Sequence, residues 1–153
     1  MFRKLIATDD NVASLVLRVP TGIIFFAHGA QLALGWFGGY GFTATMQVFT
    51  QNMHIPTVFA FLAIMAQFLG SLGLIVGLLT RVAAFGIGVV MLVATVMVHL
   101  PVGFFMNWFG SQKGEGYEYH LLAIAICIAL MIRGGGKASI DRALTVKTPG
   151  ARP

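Results

Sequence analysis

The chain has 153 residues, 58% of them hydrophobic and 10% charged, with a formal net charge of +5 and a mean hydropathy of +0.86. That length allows one domain, and the balance excludes a disordered chain and argues against an ordinary soluble one. Residues 19 to 80 and 82 to 112 contain no Asp, Glu, Lys or Arg, so the chain reads as a membrane protein with no room for a separate soluble catalytic domain.

In chain order, Arg3 and Lys4 precede the polar stretch Thr8-Asp9-Asp10-Asn11 rather than an apolar core with a small-residue cleavage site. No removable signal peptide is therefore expected, and the first span acts as its own insertion signal. Four apolar segments follow, at about 12–36, 57–79, 82–102 and 117–132, each read as a transmembrane helix. Asp9, Asp10 and Asn11 offer capping oxygens to the first, and Pro20 inside it is expected to kink it. In the loop after it, Phe42, Met46, Phe49 and Met53 recur at helical spacing, which predicts a short amphipathic helix lying in the interface before Pro56. On the second span, Ala63, Ala66, Gly70, Gly73 and Gly77 form a stripe of small side chains, with Ala84 and Gly88 on the third as the expected facing groove; such stripes let helices approach closely in lipid. The fourth span is short, and its start is set by whether Tyr117 and Glu118 belong to the helix.

Basic residues sort by loop. Arg3, Lys4, Arg81, Arg133, Lys137, Arg142, Lys147 and Arg152 fall at one end of such a bundle and Lys113 alone at the other. The positive-inside rule then places both termini in the cytoplasm, with residues 37–56 and 103–116 outside. Trp36, Tyr40, Trp108, Tyr117 and Tyr119 all fall at the outer end, as an aromatic belt requires. The fold class is thus all-α integral membrane, a bundle of four transmembrane helices, with residues 1–144 as its single domain and 145–153 as a flexible tail. The basic tail has no interleaved aromatic surface, so its charges are topological and nucleic acid is not an expected partner.

Several short pieces occur in a telling order: Leu17-Arg18 followed by Gly22 and His28-Gly29, then Gly77-Leu78-Leu79-Thr80-Arg81, then Gly114-Glu115-Gly116-Tyr117-Glu118-Tyr119, and last Gly134-Gly135-Gly136 leading to Ser139-Ile140-Asp141. In these the chain resembles the DoxX family of small four-helix inner-membrane proteins, from roughly Leu15 to Leu144. The resemblance implies a plasma-membrane protein linked to redox systems, among them a subunit of thiosulfate:quinone oxidoreductase. The chain departs from many relatives in carrying Gln67 where they carry Glu in mid-helix. Any proton handling by that carboxylate would here fall to another group or be lacking altogether, while Gln67 can still donate and accept hydrogen bonds.

A charged side chain at mid-span costs roughly 2.5–3.5 kcal/mol on insertion scales, so each ionisable group inside a span is a functional candidate. Arg18, near the inner start of the first helix, reads equally as an anchor or as a binder of an anion or carbonyl. His28 shares a face with Phe25 and Gln31; Thr95 and His99 lie one turn apart on the third helix. Glu118 and His120 project about 200° apart, and Glu118 is preferred for the bundle interior. The expected site is therefore His28 and Glu118 as proton-handling groups, with Arg18, Gln31, Gln67 and His99 as ligand-binding partners around a quinone. Metal or haem ligation is disfavoured, because no HxxxH or His-x-x-Glu pair occurs. Cys127 is the lone cysteine, which excludes an intramolecular disulfide and a CxxC motif. The glycines at 134–136 lack the phosphate-loop pattern and are read as ending the fourth helix, with Ser139 capping a short helix beyond.

Two functions follow. One is a quinone-interacting subunit of a membrane oxidoreductase, dependent on a partner redox protein because no dinucleotide-binding glycine motif is present. The other is a non-enzymatic scaffold or assembly factor, recruiting partners or a second copy through the small-residue face and the basic tail.

Overall fold

The computed structural model describes residues 2–146, and among these every regular element is helical. A short α1 (Phe2–Ile6) leads to α2 (Val12–Leu34), whose start is fixed by Asn11: its Oδ1 accepts from the Ala13 N–H at 2.7 Å. Of the three expected capping residues, Asn11 is the one that caps. The helix runs unbroken through Pro20 and stops at Gly35, whose φ of 73° takes the chain out of the helical region. A 3₁₀ turn at Trp36–Gly38 then leads into α3 (Gly41–Gln47), which continues as a π-helical turn, Val48–Asn52. The helix foreseen in this loop is present, and it packs on α2 and α4: the buried Thr45 hydroxyl donates to Leu32 O at 3.1 Å, and the Phe42 ring meets Phe61 edge-on.

Pro56 precedes α4 (Thr57–Val76), and Gly77, at φ 69°, ends it. After a turn of only three residues the chain reverses into α5 (Thr80–Ala94), extended by a π-helical turn at Thr95–His99. A folded loop leads to α6 (Glu118–Arg133), and a glycine turn to the terminal α7 (Ile140–Val146). Residues 145 and 146, expected in the flexible tail, thus belong to a helix; the rest of that tail, 147–153, lies outside the described residues.

Packing follows the small side chains. α2 lies against α4, α4 against α5, α5 against α6, and α6 closes back on α2. A Cβ on Gly29 would come within 2.6 Å of Phe68 Cα, and one on Gly22 within 2.9 Å of the Ile75 nitrogen, so the α2–α4 seam is backbone to backbone. The stripe on α4 faces α5: Gly70 meets Ala83 and Ile87, Gly73 meets Ala83, and Ala66 meets Gly86. Gly88, foreseen in that groove, faces Cys127 of α6 instead, one position around the helix from the α4 seam. Between the seams sits a small core including Phe25, Leu74, Ile87, Met91, Cys127 and Leu130.

Outside the ring the surface is apolar. Ile23, Phe59, Leu62, Phe85, Leu92, Leu122 and Ile132 are all exposed, the pattern of side chains that face lipid. Among the described residues, three helices are long and apolar enough to cross a bilayer: Val12–Leu34, Thr57–Val76 and Thr80–His99. The chain has the helices of a membrane protein, and α6, at 16 residues, is the short member of the bundle.

Candidate functional site

The alternation of the helices gathers the polar residues at two opposite ends of the bundle. At one end lies Arg18, only 1% exposed. Its Nε donates to Gly135 O at 2.9 Å, Nη1 to Leu74 O at 2.9 Å and to Ile75 O, and Nη2 to Ala138 O at 2.7 Å and Lys137 O at 3.3 Å. A guanidinium has five N–H donors, and all are occupied by main-chain carbonyls. Two of these belong to the last turn of α4, where helical carbonyls lack partners. Arg18 therefore has no donor left for a ligand, and the ligand-binding role expected of it gives way to that of a clasp between α2, α4 and the glycine turn.

The clasp has a second half that spacing did not reveal. The buried Asp141 carboxylate accepts from Leu79 N at 2.7 Å and Thr80 N at 2.9 Å, while its own N–H donates to Gly77 O at 2.9 Å. An aspartate in α7 thereby caps α5, which has no side-chain cap of its own at Leu79. Arg81 adds a third tie, donating to Met131 O at 2.7 Å and to Ala7 O. Ser139 caps α7 as expected, its Oγ accepting from Arg142 N at 3.1 Å. The turn at 134–136 must be glycine because it is threaded through this knot: a Cβ on Gly136 would strike Asn11 O, and one on Gly135 would meet Thr80 Oγ1 at 2.8 Å.

At the other end, two histidines from two helices come together, while a third, His28 of α2, is exposed. The rings of His99 and His120 are stacked with centroids 4.0 Å apart, tilted by 40°. His120 is 7% exposed, and its Nδ1 is buried without a hydrogen-bond partner. His99 Nδ1 lies 2.8 Å from Glu115 O; since a carbonyl only accepts, Nδ1 carries a proton, which leaves Nε2 as the ring nitrogen available to a ligand. The π-helical turn explains the aim of His99. Leu100 N bonds to Thr95 O, and the Thr95 hydroxyl donates to Met91 O at 2.8 Å, so one extra residue is wound into the turn and His99 is rotated away from its α-helical heading.

The structure reverses the choice between Glu118 and His120. They do diverge, but His120 faces inward. Glu118 looks toward the preceding loop, where its Oε1 accepts from Met106 N at 2.9 Å. The phase of α6 is set by the loop: Tyr117 N bonds to Gly103 O and Glu118 N to Phe104 O, and Gly116 lies so close under Phe104 and Phe105 that no Cβ fits. Gln31 is drawn off as well, its Nε2 donating to Phe37 O at 3.3 Å in the 36–38 turn. Gln67 is buried at the α2–α4 seam, where its backbone packs on Gly29, beside His28. Of the expected set, the structure sets His99 against His120, leaves His28 exposed, buries Gln67 on the α2–α4 seam, and ties Arg18, Gln31 and Glu118 to main-chain groups elsewhere. Among the described residues no trio of His, Cys, Asp or Glu has a geometry that could hold a metal ion.

Comparison with known proteins places this geometry in a family. The sequence model of the DoxX family matches residues 13–100. The Bacillus subtilis (strain 168) protein named "Putative oxidoreductase CatD" is 29% identical over 120 residues, covering 78% of this chain and 79% of that protein. No solved structure matches.

Proposed function

The chain belongs to the DoxX family, and from that premise we propose that it is a quinone-interacting subunit of a membrane-associated oxidoreductase, working with a partner that carries the remaining redox cofactor. The observation that carries the reading is the buried, unpartnered Nδ1 of His120 against the ring of His99. A buried polar atom without a partner costs about 1–3 kcal/mol, and a bound carbonyl oxygen would relieve that cost. A quinone, when bound, supplies a two-electron, two-proton couple. Toward it, His120 offers a donor or acceptor at Nδ1, and His99, its Nδ1 held by Glu115 O, offers a base at Nε2. Phe25 and Tyr119, whose rings lie 6.4 Å apart beneath the cluster, would supply the apolar wall. The relative whose name includes "oxidoreductase" is in keeping with this chemistry.

The same proposal includes four spans with both termini in the cytoplasm of a bacterial inner membrane. α6 presents Leu121, Leu122, Ile128 and Ile132 outward as the three longer helices present theirs. Among the described residues the basic side chains Arg3, Lys4, Arg81, Arg133, Lys137 and Arg142 lie at the Arg18 end and Lys113 at the histidine end, the asymmetry that the positive-inside rule reads. The test is to extract isoprenoid quinone from protein purified in mild detergent and to record its oxidised-minus-reduced ultraviolet spectrum. A stoichiometric signal that is lost in His120→Phe, with folding intact, is expected. A quinone-free sample that stays silent after quinone is added back would remove the proposal.

A further inference from the structure

Between α5 and α6 the chain exposes an unusual run of aromatic side chains: Phe105 is 68% exposed, Trp108 80% and Phe109 95%. Such a tip would be expected to move freely, yet its backbone is pinned from behind. Met106 N donates to Glu118 Oε1 at 2.9 Å and Asn107 N to Glu115 Oε2 at 2.7 Å, while the tip closes on itself through Gly110 N to Asn107 O at 3.2 Å. Two carboxylates are thus spent on the bundle side in holding main-chain N–H groups. What remains on the far side is apolar, and the amides of Met106, Asn107, Trp108 and Gly110 are satisfied within the protein, which lowers the cost of entry into a medium poorer in water.

We propose that residues 104–110 form a membrane anchor, a fixed aromatic wedge that lies in the lipid interface at the histidine end and is tethered by Glu115 and Glu118. The occupant is the bilayer because the wedge is continuous with the lipid-facing flank of α5, where Val96 and Leu100 are exposed directly below it. Tryptophan at the end of a span belongs to the interfacial belt, and phenylalanine beside it is the kind of side chain that enters the boundary between headgroups and acyl chains. Lys113, exposed on the returning limb of the loop, is of the residue type that keeps its charged head at the headgroup level while its stem covers apolar surface. The inference stands apart from any redox role, since it uses neither His99 nor His120.

The experiment uses the full chain in phosphatidylcholine vesicles. Trp36→Phe leaves Trp108 as the lone tryptophan, and its emission is compared in ordinary lipid, in lipid brominated near the carbonyl end of the acyl chains, and with acrylamide in the water. The expected result is blue-shifted emission, strongly quenched by the brominated lipid and several-fold less by acrylamide than in the unfolded chain; Glu118→Gln should raise the acrylamide quenching by loosening the tether. A red, acrylamide-quenched emission overturns the proposal, as does blue-shifted emission that brominated lipid leaves untouched, which would mean a protein partner covers the tip. If the tryptophan variant misfolds, a nitroxide on Phe109→Cys gives the same reading by its collisions with oxygen and with a water-soluble relaxant, Cys127 being buried.

Discussion

Arg18→Met separates a clasp from a ligand site. The substitution keeps most of the stem's volume and removes five donors at once, leaving the carbonyls of Leu74, Ile75, Gly135, Lys137 and Ala138 unmet by them. Hydrogen bonds from a charged donor are worth about 1.5–3 kcal/mol each, but a simple sum overshoots, because the buried guanidinium is itself costly and carbonyls near the bundle end regain some water. Removing one member of a buried charged network costs about 3–5 kcal/mol. Against a total stability of about 5–15 kcal/mol, that is a lowering of the thermal midpoint by about 10 °C for a chain of this length. Arg18→Lys, with three donors on a point charge in place of five in a planar fork, should lose about half as much. The assay is thermal unfolding in detergent followed by circular dichroism, beside quinone content in the fraction that stays folded. A Met variant that melts with the wild type but loses bound quinone would refute the clasp and return Arg18 to the ligand.

Other consequences are read with the same two assays. Asp141→Ala frees the Leu79 and Thr80 amides at the start of α5 and should cost about 1–2 kcal/mol, the loss of a helix cap; combined with Arg18→Met it should cost less than the sum, because both act on one knot. Gly29→Val places a Cβ 2.6 Å from Phe68 Cα and should destabilise by about 1–3 kcal/mol through overpacking, with helix content kept up to a lowered midpoint. His99→Phe keeps a ring against His120 but deletes the bond to Glu115 O, so it should cost about 1 kcal/mol of stability while abolishing quinone retention. His54→Ala, in an exposed turn, should change neither.

Most of the architecture was legible in the sequence because lipid imposes simple rules. Long uncharged runs mark spans, small residues at alternating spacings of three and four mark close helix seams, and Gly35 and Gly77 end helices where only a left-handed residue serves. What was hidden depends on contacts between distant parts. Arg18 could be placed near a helix start, but its saturation by carbonyls 56 to 120 residues away has no local signature. Asp141 did leave a trace, since Leu79 before α5 is no capping residue and some other acceptor had to supply that end. The divergence of Glu118 and His120 follows from helical spacing alone, yet the one that faces inward follows from the phase of α6, which the loop at 103–106 sets through Gly116. Similarly, the heading of His99 rests on a π turn, and an ideal helical wheel cannot contain one.

The most direct test of the histidine site is the imidazole nitrogen spectrum of the protein labelled at its four histidines, His28, His54, His99 and His120, in detergent or nanodiscs as a short-chain quinone is added. The account predicts that the free protein shows His99 protonated at Nδ1, and that quinone moves the His120 and His99 signals most, His28 less and His54 not at all. Unmoved signals from all four at saturating quinone, or a response confined to His54, would contradict it.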